Sequence, residues 1–96
     1  MIRNITLTLF SSKNCSLCVP VLETLRKLQT QIPFQLKVQD IYAKDCPRAL
    51  RRKYKTEIPV VHIDQHYVLR HRIRDEGEFL QVLQDYIKNG KIEPIN

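Results

Sequence analysis

Two cysteines, Cys15 and Cys18, stand at the boundary between two regular patterns, and this placement constrains the fold more than any other feature. Residues 2–10 alternate between apolar and polar side chains, which predicts a strand before the pair. Residues 17–31 repeat apolar side chains at three- and four-residue spacing, which predicts an amphipathic helix after it. The chain therefore begins as a β-α unit that carries its cysteines at the junction.

Five further elements follow. Alternation predicts strands over 34–40, 60–63 and 67–70, and a second helix is predicted to open at Asp45, as the N-cap, and Pro47. The last helix is predicted to end at the pair Asn89-Gly90.

The order β-α-β-α-β-β-α predicts a four-stranded mixed sheet flanked by three helices, which is the α/β architecture of the thioredoxin-like fold. Because helical crossovers join the first three strands, we expect these strands to be parallel, with the final hairpin as an antiparallel edge. Residues 1–96 are assigned to a single domain, because this length is enough for one core. The domain is expected to be a monomer.

Sixteen Lys and Arg residues against ten Asp and Glu residues give the chain a net charge of +6. The excess is concentrated in residues 48–55 and 70–74, which form either a solvated surface or a binding surface for an acidic partner. Aromatic side chains do not alternate with these charges as they do on base-stacking surfaces, so the charge alone does not predict nucleic-acid binding.

Three cysteines are too few, and an odd number, for a secreted domain held together by disulfides. We therefore expect a reducing compartment, either the cytoplasm or the mitochondrial matrix. No apolar run approaches the ~20 residues that cross a bilayer, and the first residues lack the pattern of a signal peptide. No membrane association is expected.

Cys15 has the position of a redox nucleophile. A thiolate at a helix N-terminus is stabilised by unpaired N–H groups and by the helix dipole, so Cys15 is expected to ionise more readily than a free cysteine. Lys13 adds positive potential nearby. Cys18, one turn later, is expected to be more buried and close enough to attack a mixed disulfide at Cys15. Pro20 predicts that the helix starts late or is kinked, because its ring nitrogen cannot donate a hydrogen bond.

Other residues allow further explanations. The cysteine pair with His62 and His66 has the residue types of a zinc site, but 43 residues separate the pair from His62, against about 12–15 in a zinc finger. No structural metal is therefore predicted, and His62 is expected to be a half-buried strand residue, with His66 and His71 on the surface. Cys46 is either a small structural residue or a regulatory thiol.

Four segments carry a resemblance to a known family: Leu7-Thr8-Leu9-Phe10, Cys15-Ser16-Leu17-Cys18, Asp40-Ile41 and Ile58-Pro59-Val60-Val61. Together they resemble the small glutaredoxin-like proteins of the thioredoxin-like superfamily across nearly the whole chain. The resemblance implies a nucleophilic Cys15, a resolving Cys18 and a substrate-binding loop at Pro59. It also implies a cis peptide bond before Pro59 and an Ile58 backbone that is free to pair with a bound peptide or glutathione.

The chain departs from typical glutaredoxins around these segments. Ser16-Leu17 replaces the usual Pro-Tyr between the cysteines, and Lys13 lies two residues before the first cysteine where the family has a basic residue three before it. No Gly-Gly turn occurs near residues 68–72, and Asp75 or Glu76 is the candidate for the acidic residue that holds the amino end of glutathione. No tightly bound cofactor is expected, and glutathione is kept as a candidate reductant.

The leading hypothesis is a thiol–disulfide oxidoreductase that acts on disulfide-containing proteins or on mixed disulfides with glutathione. One alternative is a non-catalytic thioredoxin-fold module that binds an acidic or nucleic-acid partner through its basic surface. Another alternative is a protein whose dithiol binds a metal ion or an iron–sulfur cluster.

Overall fold

A computed structural model describes residues 4–95 and contains four strands and three helices in the predicted order β-α-β-α-β-β-α. The strands are β1 (Thr6–Ser11), β2 (Gln35–Asp40), β3 (Val60–Ile63) and β4 (His66–Arg70). The helices are α1 (Cys18–Gln29), α2 (Arg48–Tyr54) and α3 (Glu76–Asn89). The strands form one mixed sheet, so the predicted thioredoxin-like architecture is confirmed.

β1 is an inner strand, and its side chains alternate between two apolar layers. Leu7 and Leu9 are buried on one face of the sheet, and Phe10 is buried on the other. This pattern confirms the predicted strand, of which residues 2 and 3 lie outside the described residues.

The strand order is β2-β1-β3-β4. β1 and β2 are parallel as predicted, and β3 and β4 form the predicted antiparallel hairpin. The expectation that β3 is also parallel is wrong, because β3 runs antiparallel to β1 with Phe10 opposite Val60. The physical reason is where the connection packs: residues 41–59 bury Ile41, Cys46 and Tyr54 in one cluster with Phe10 and Val60, near the end of the sheet where β1 and β2 stop. β3 therefore starts at the end of the sheet where β1 stops.

The helices cover both faces of the sheet. α1 and α3 share one core with Leu7 and Leu9, whereas α2 packs on the opposite face, where Tyr54 lies against the Phe10 ring. Burial of each large apolar side chain contributes about 1.5–3 kcal/mol, so both layers stabilise the sheet. Within residues 4–95, no helix is long and apolar enough to cross a membrane.

The cap residue predicted at the end of α3 is confirmed, and the one predicted at the start of α2 is wrong. Gly90 follows α3 with a φ of 71°, and its N–H donates to the Tyr86 carbonyl, as predicted for a C-cap. The predicted N-cap Asp45 is wrong, because Pro47 occupies that position. The Asp45 carboxylate instead accepts a hydrogen bond from the Gln39 side chain at 3.1 Å.

Candidate active site

α1 begins at Cys18, after Cys15, and Pro20 occupies its third position. The first amides of a helix have no partner within it, so the missing N–H of Pro20 costs nothing there. A helix that began at Cys15 would need a hydrogen bond from the residue 20 N–H to the Ser16 carbonyl, and Pro20 has no N–H to donate. That carbonyl instead accepts from the Val19 N–H at 3.4 Å. The predicted late start of the helix is confirmed.

Cys15 and Cys18 are joined by a disulfide, with their Cα atoms 5.4 Å apart. The Cys18 N–H donates to the Cys15 carbonyl at 3.2 Å, which closes the turn between them. We call residues 12–17 the dithiol loop. Cys15 is half-buried, whereas Cys18 is 4% exposed. The expected asymmetry is present, and Cys15 is the more accessible residue of the pair.

Cys15 lies before the first turn of α1, and its carbonyl accepts the N–H of Cys18, the first residue of the helix. The sequence predicts Cys15 at the N-terminus of the helix, and the structure places it three residues before the first helical residue, in line with the late start expected from Pro20. The N-cap Leu17 makes no side-chain hydrogen bond to the helix, and the first turn carries no acidic residue. The positive end of the helix dipole is therefore not neutralised from within α1, and Cys15 lies just beyond it.

Pro59 lies at the same end of the sheet as the dithiol loop. Its peptide bond with Ile58 is cis, as the resemblance implies, and the residue is buried. Because Phe10 is paired with Val60 in the antiparallel register, Pro59 comes opposite Ser11, which ends β1 and leads into the dithiol loop. The antiparallel direction of β3, which the sequence did not predict, is what places Pro59 there.

The backbone around Pro59 is partly used inside the protein. The Ile58 N–H donates to the Tyr54 carbonyl at 3.0 Å, and the His71 N–H donates to the Pro59 carbonyl at 2.7 Å. The expectation of a free Ile58 backbone is therefore wrong for its amide, because that N–H completes the turn after α2.

Exposed apolar side chains accompany Lys13 around the dithiol loop. Lys13 is exposed and lines a shallow cavity of about 300 Å³ with Tyr42. Tyr42, in the loop after β2, is 55% exposed, and so is Leu17 between the cysteines. The sequence pattern placed Leu17 on the apolar face of the first helix and so did not predict its exposure, and Tyr42 was not singled out. The one available signal for Tyr42 was its position after β2: because β2 is parallel to β1, the residues that follow the two strands lie at the same end of the sheet.

Cys46 is buried, at 4% exposure, in the layer between α2 and the sheet. Its Sγ donates to the Pro47 carbonyl at 3.6 Å, and Ile41 and Val60 belong to the same apolar cluster. Because oxidants react with accessible thiolates, modification of Cys46 requires this layer to open. Its regulatory role stays a prediction.

A hydrogen-bonded pair of rings within this layer joins α2 to β3. The Tyr54 hydroxyl lies 2.7 Å from His62 Nε2, and His62 is half-buried as predicted. Burial lowers the pKa of His62, and the charges of Lys53 and His66 lower it further. Burial also raises the pKa of the Tyr54 phenol. Both rings are therefore neutral at pH 7. No sequence pattern relates a helix residue to a strand residue eight positions later, so the pair was not predicted.

The remaining histidines and acidic candidates lie at the surface. His66 and His71 are exposed, as expected. The Asp75 carboxylate caps α3 by accepting the Glu78 N–H at 3.2 Å, and Glu76 pairs with a lysine of α1 at 3.2 Å. In the part of the chain that the structure describes, no three Cys, His, Asp or Glu residues are grouped so as to hold a metal ion.

This chain is a thioredoxin-fold protein, and solved thioredoxins share its architecture. A mutant thioredoxin from Halobacterium salinarum NRC-1 matches with a TM-score of 0.61 and 19% identity, over 96% of this chain and 80% of that one. Thioredoxin O2 from Arabidopsis thaliana in the oxidized state matches with a TM-score of 0.64 and 13% identity, over 88% and 76%. Protein Ne2328 from Nitrosomonas europaea matches with a TM-score of 0.70 and 21% identity, over 91% and 95%. Such low identities establish the fold alone.

Sequence comparison defines the family more narrowly. The family model of the glutaredoxin-like domain (DUF836) matches residues 6–92, and the chain belongs to this family. No curated protein matches the sequence. The family and the Cys15–Cys18 disulfide together support a redox function.

Proposed function

We propose that the protein is a thiol–disulfide oxidoreductase in which Cys15 is the nucleophile and Cys18 the resolving thiol. The Cys15 thiolate attacks one sulfur of a substrate disulfide, forms a mixed disulfide and releases the other substrate sulfur as a thiolate, which takes a proton from water. The Cys18 thiol loses its proton to solvent and attacks the Cys15 sulfur. This step releases the second substrate thiol and forms the Cys15–Cys18 disulfide. Two electrons pass from the protein to the substrate.

The observation that carries this proposal is the Cys15–Cys18 disulfide between a half-buried and an almost fully buried residue. The bond is the product of the resolving step. The accessible member of the pair is the one that must meet a bulky substrate, and the covered member needs to reach only its neighbour. The positive end of α1 favours a thiolate at Cys15 over one further from the helix.

The Pro59 loop supports the binding of an extended substrate segment beside Cys15. The Ile58 amide donates to Tyr54, so the Ile58 carbonyl is the group that would accept a hydrogen bond from a substrate backbone. We propose one backbone hydrogen bond from the substrate to Ile58, because the Ile58 N–H, which could have made a second, is already used. Leu17 and Tyr42 add exposed apolar surface on the other side of the dithiol loop.

A thiol reductant must return the pair to its reduced state. We propose glutathione, of which two molecules reduce the Cys15–Cys18 disulfide and leave as glutathione disulfide. This chemistry fits a reducing compartment, the cytoplasm or the mitochondrial matrix, where thiols are kept reduced. Asp75 or Glu76 is the proposed contact for the amino group of glutathione.

Three single substitutions test the proposal with a fluorescent peptide disulfide as substrate. Cys15→Ser should lower the rate of peptide reduction at least about 100-fold, because the nucleophile is lost. Cys18→Ser should accumulate a mixed disulfide between Cys15 and the peptide, detected by mass spectrometry. Cys46→Ala is the matched control, since Cys46 is a buried cysteine outside the disulfide, and it should reduce the peptide at the rate of the unsubstituted protein.

Two results would contradict the proposal. One is undiminished peptide reduction by Cys15→Ser. The other is stoichiometric zinc or iron in the purified protein, measured by elemental analysis and lost together with Cys15, which would favour a metal-binding role for the dithiol.

A further inference from the structure

Residues 44–74 carry the entire net charge of the chain. They contain nine Lys and Arg residues and three Asp and Glu residues, whereas the rest of the chain contains seven of each. This segment includes α2 and the β3–β4 hairpin. Since α2 packs on the face of the sheet opposite α1 and α3, the positive charge lies mainly on one side of the molecule.

Four of these cations form a stripe along α2 and its C-cap residue. Their spacing of three, four and seven residues places them on one side of the helix, away from Tyr54, which packs against the sheet. The basic stripe consists of Arg48, Arg51, Arg52 and Lys55. Among residues 4–95, no carboxylate lies within ion-pair distance of any of the four. Their mutual repulsion disfavours the helix, and a bound acidic segment would relieve it.

Arg51 connects the basic stripe to the dithiol loop. Its Nε donates to the Ile41 carbonyl at 2.9 Å, and its guanidinium lies 5.6 Å from the centroid of the Tyr42 ring. Tyr42 in turn lines the shallow cavity with Lys13, two residues before Cys15. A continuous surface therefore runs from the cations of α2, across an exposed ring, to the nucleophile.

We propose that the basic stripe and Lys13 bind an acidic segment beside the disulfide of a protein substrate, so that the protein reduces acidic protein disulfides in preference to others. This inference rests on the proposed oxidoreductase function. Opposite charges raise the rate of encounter and orient the partners before contact. The stripe would therefore act on the association step and leave the chemistry at Cys15 unchanged.

An acidic protein segment fits this surface better than a nucleic acid does. Binding of single-stranded nucleic acid combines cations with aromatic rings that are free to stack on bases. Here Tyr42 already lies against the Arg51 guanidinium, and Tyr54 is buried against the sheet. The stripe thus offers charge beside one partly covered ring, Tyr42, rather than the series of free rings on which successive bases stack.

The test uses three peptide disulfides of one length, with Glu, Lys or Ser residues flanking the disulfide. Reduced protein should reduce the Glu peptide about tenfold faster than the Lys peptide at low ionic strength, and the difference should shrink at high salt. The double substitution Arg48→Glu/Arg52→Glu should abolish this preference. Arg26→Glu/Lys91→Glu is the matched control, because it makes the same charge change at exposed residues outside the stripe, and it should keep the preference.

The Ser peptide separates this inference from the proposed function. Both double charge variants should reduce the Ser peptide at the rate of the unsubstituted protein. If the unsubstituted protein does not reduce the Ser peptide, the oxidoreductase proposal itself fails. Equal rates with the Glu and Lys peptides, or an equal loss of preference in the control variant, would overturn the inference alone. So would fluorescence anisotropy in which a labelled single-stranded oligonucleotide binds more tightly than the Glu peptide and loses that binding with Arg48→Glu/Arg52→Glu.

Discussion

His71 adopts a left-handed backbone conformation, with a φ of 69°, directly after β4. Its N–H donates to the Pro59 carbonyl, so this conformation helps to hold the loop that faces the dithiol. The left-handed region costs a residue other than glycine about 1–2 kcal/mol. The exposed contact of the His71 ring with the Glu57 carboxylate, at 3.3 Å, offsets little of this in water.

Substitution His71→Gly should therefore increase the free energy of unfolding, by about 1 kcal/mol or less, because glycine adopts this conformation without steric cost but also loses more entropy on folding. Urea denaturation of the oxidised protein measures the change. Arg72→Gly is the matched control, since Arg72 is exposed and has no positive φ, and it should give no stabilisation. An equal effect of the two substitutions would show that the His71 backbone is not strained.

At the scale of single elements, the start of α1 depends on Pro20. The third position of the helix tolerates proline, whereas a proline further along removes a hydrogen bond and clashes with the preceding turn. Pro20→Ala should change the free energy of unfolding by less than about 0.5 kcal/mol, since no hydrogen bond is lost or required there. Thr24→Pro, in the middle of α1, should cost about 3 kcal/mol or more.

Thermal and urea unfolding of both variants, with circular dichroism at the helix bands, measure these effects. A loss of more than about 1 kcal/mol in Pro20→Ala would mean that Pro20 does more than set the start of the helix, for example by restricting the unfolded chain.

The elements and two of the three strand pairings were predictable from local patterns, and the antiparallel pairing of β3 with β1 was not. The alternation around Leu7 and Leu9 and the glycine at position 90 act within a few residues, and the strand and the C-cap that they predict are present. The direction of β3 depends on where the chain packs after β2, which no alternation pattern encodes. Val38 is 48% exposed although its alternation resembles that of a core strand, because β2 lies at the edge of the sheet.

The candidate site likewise has features that the sequence predicted and features that only the structure shows. The Cys15–Cys18 spacing and the proline before β3 are sequence motifs, and both were recognised. The hydrogen bond from the Ile58 amide to Tyr54 depends on how the chain folds back after α2, so it appears only in the structure. The exposure of Tyr42 beside the dithiol loop depends in the same way on the parallel pairing of β1 and β2.

At the scale of the whole molecule, the two layers that sandwich the sheet differ in chemistry. The layer under α1 and α3 is formed largely by aliphatic and aromatic side chains. The layer under α2 contains the hydrogen-bonded Tyr54–His62 pair, with the Tyr67 ring centroid 6.2 Å from that of His62. This second layer also supports the Pro59 loop and the basic stripe. Its stability should therefore depend on pH in a way that the first layer does not.

The pH dependence follows from the direction of the His62 pKa. Burial, Lys53 and His66 lower the pKa of His62 below 6.5, its ordinary value, so the folded protein binds a proton at this site less readily than the unfolded chain does. Stability from the neutral ring is fully present above about pH 6.5 and decreases as the pH falls, until the folded protein is protonated as well.

We expect the urea midpoint to decrease between pH 7 and pH 5. His62→Gln, whose side chain cannot titrate, should reduce the slope of the midpoint against pH. His71→Gln is the matched control, since His71 is exposed and is not among the groups that lower the pKa of His62, and it should leave the slope close to that of the unsubstituted protein. Identical slopes for His62→Gln and the unsubstituted protein would show that the Tyr54–His62 pair does not link protonation to folding.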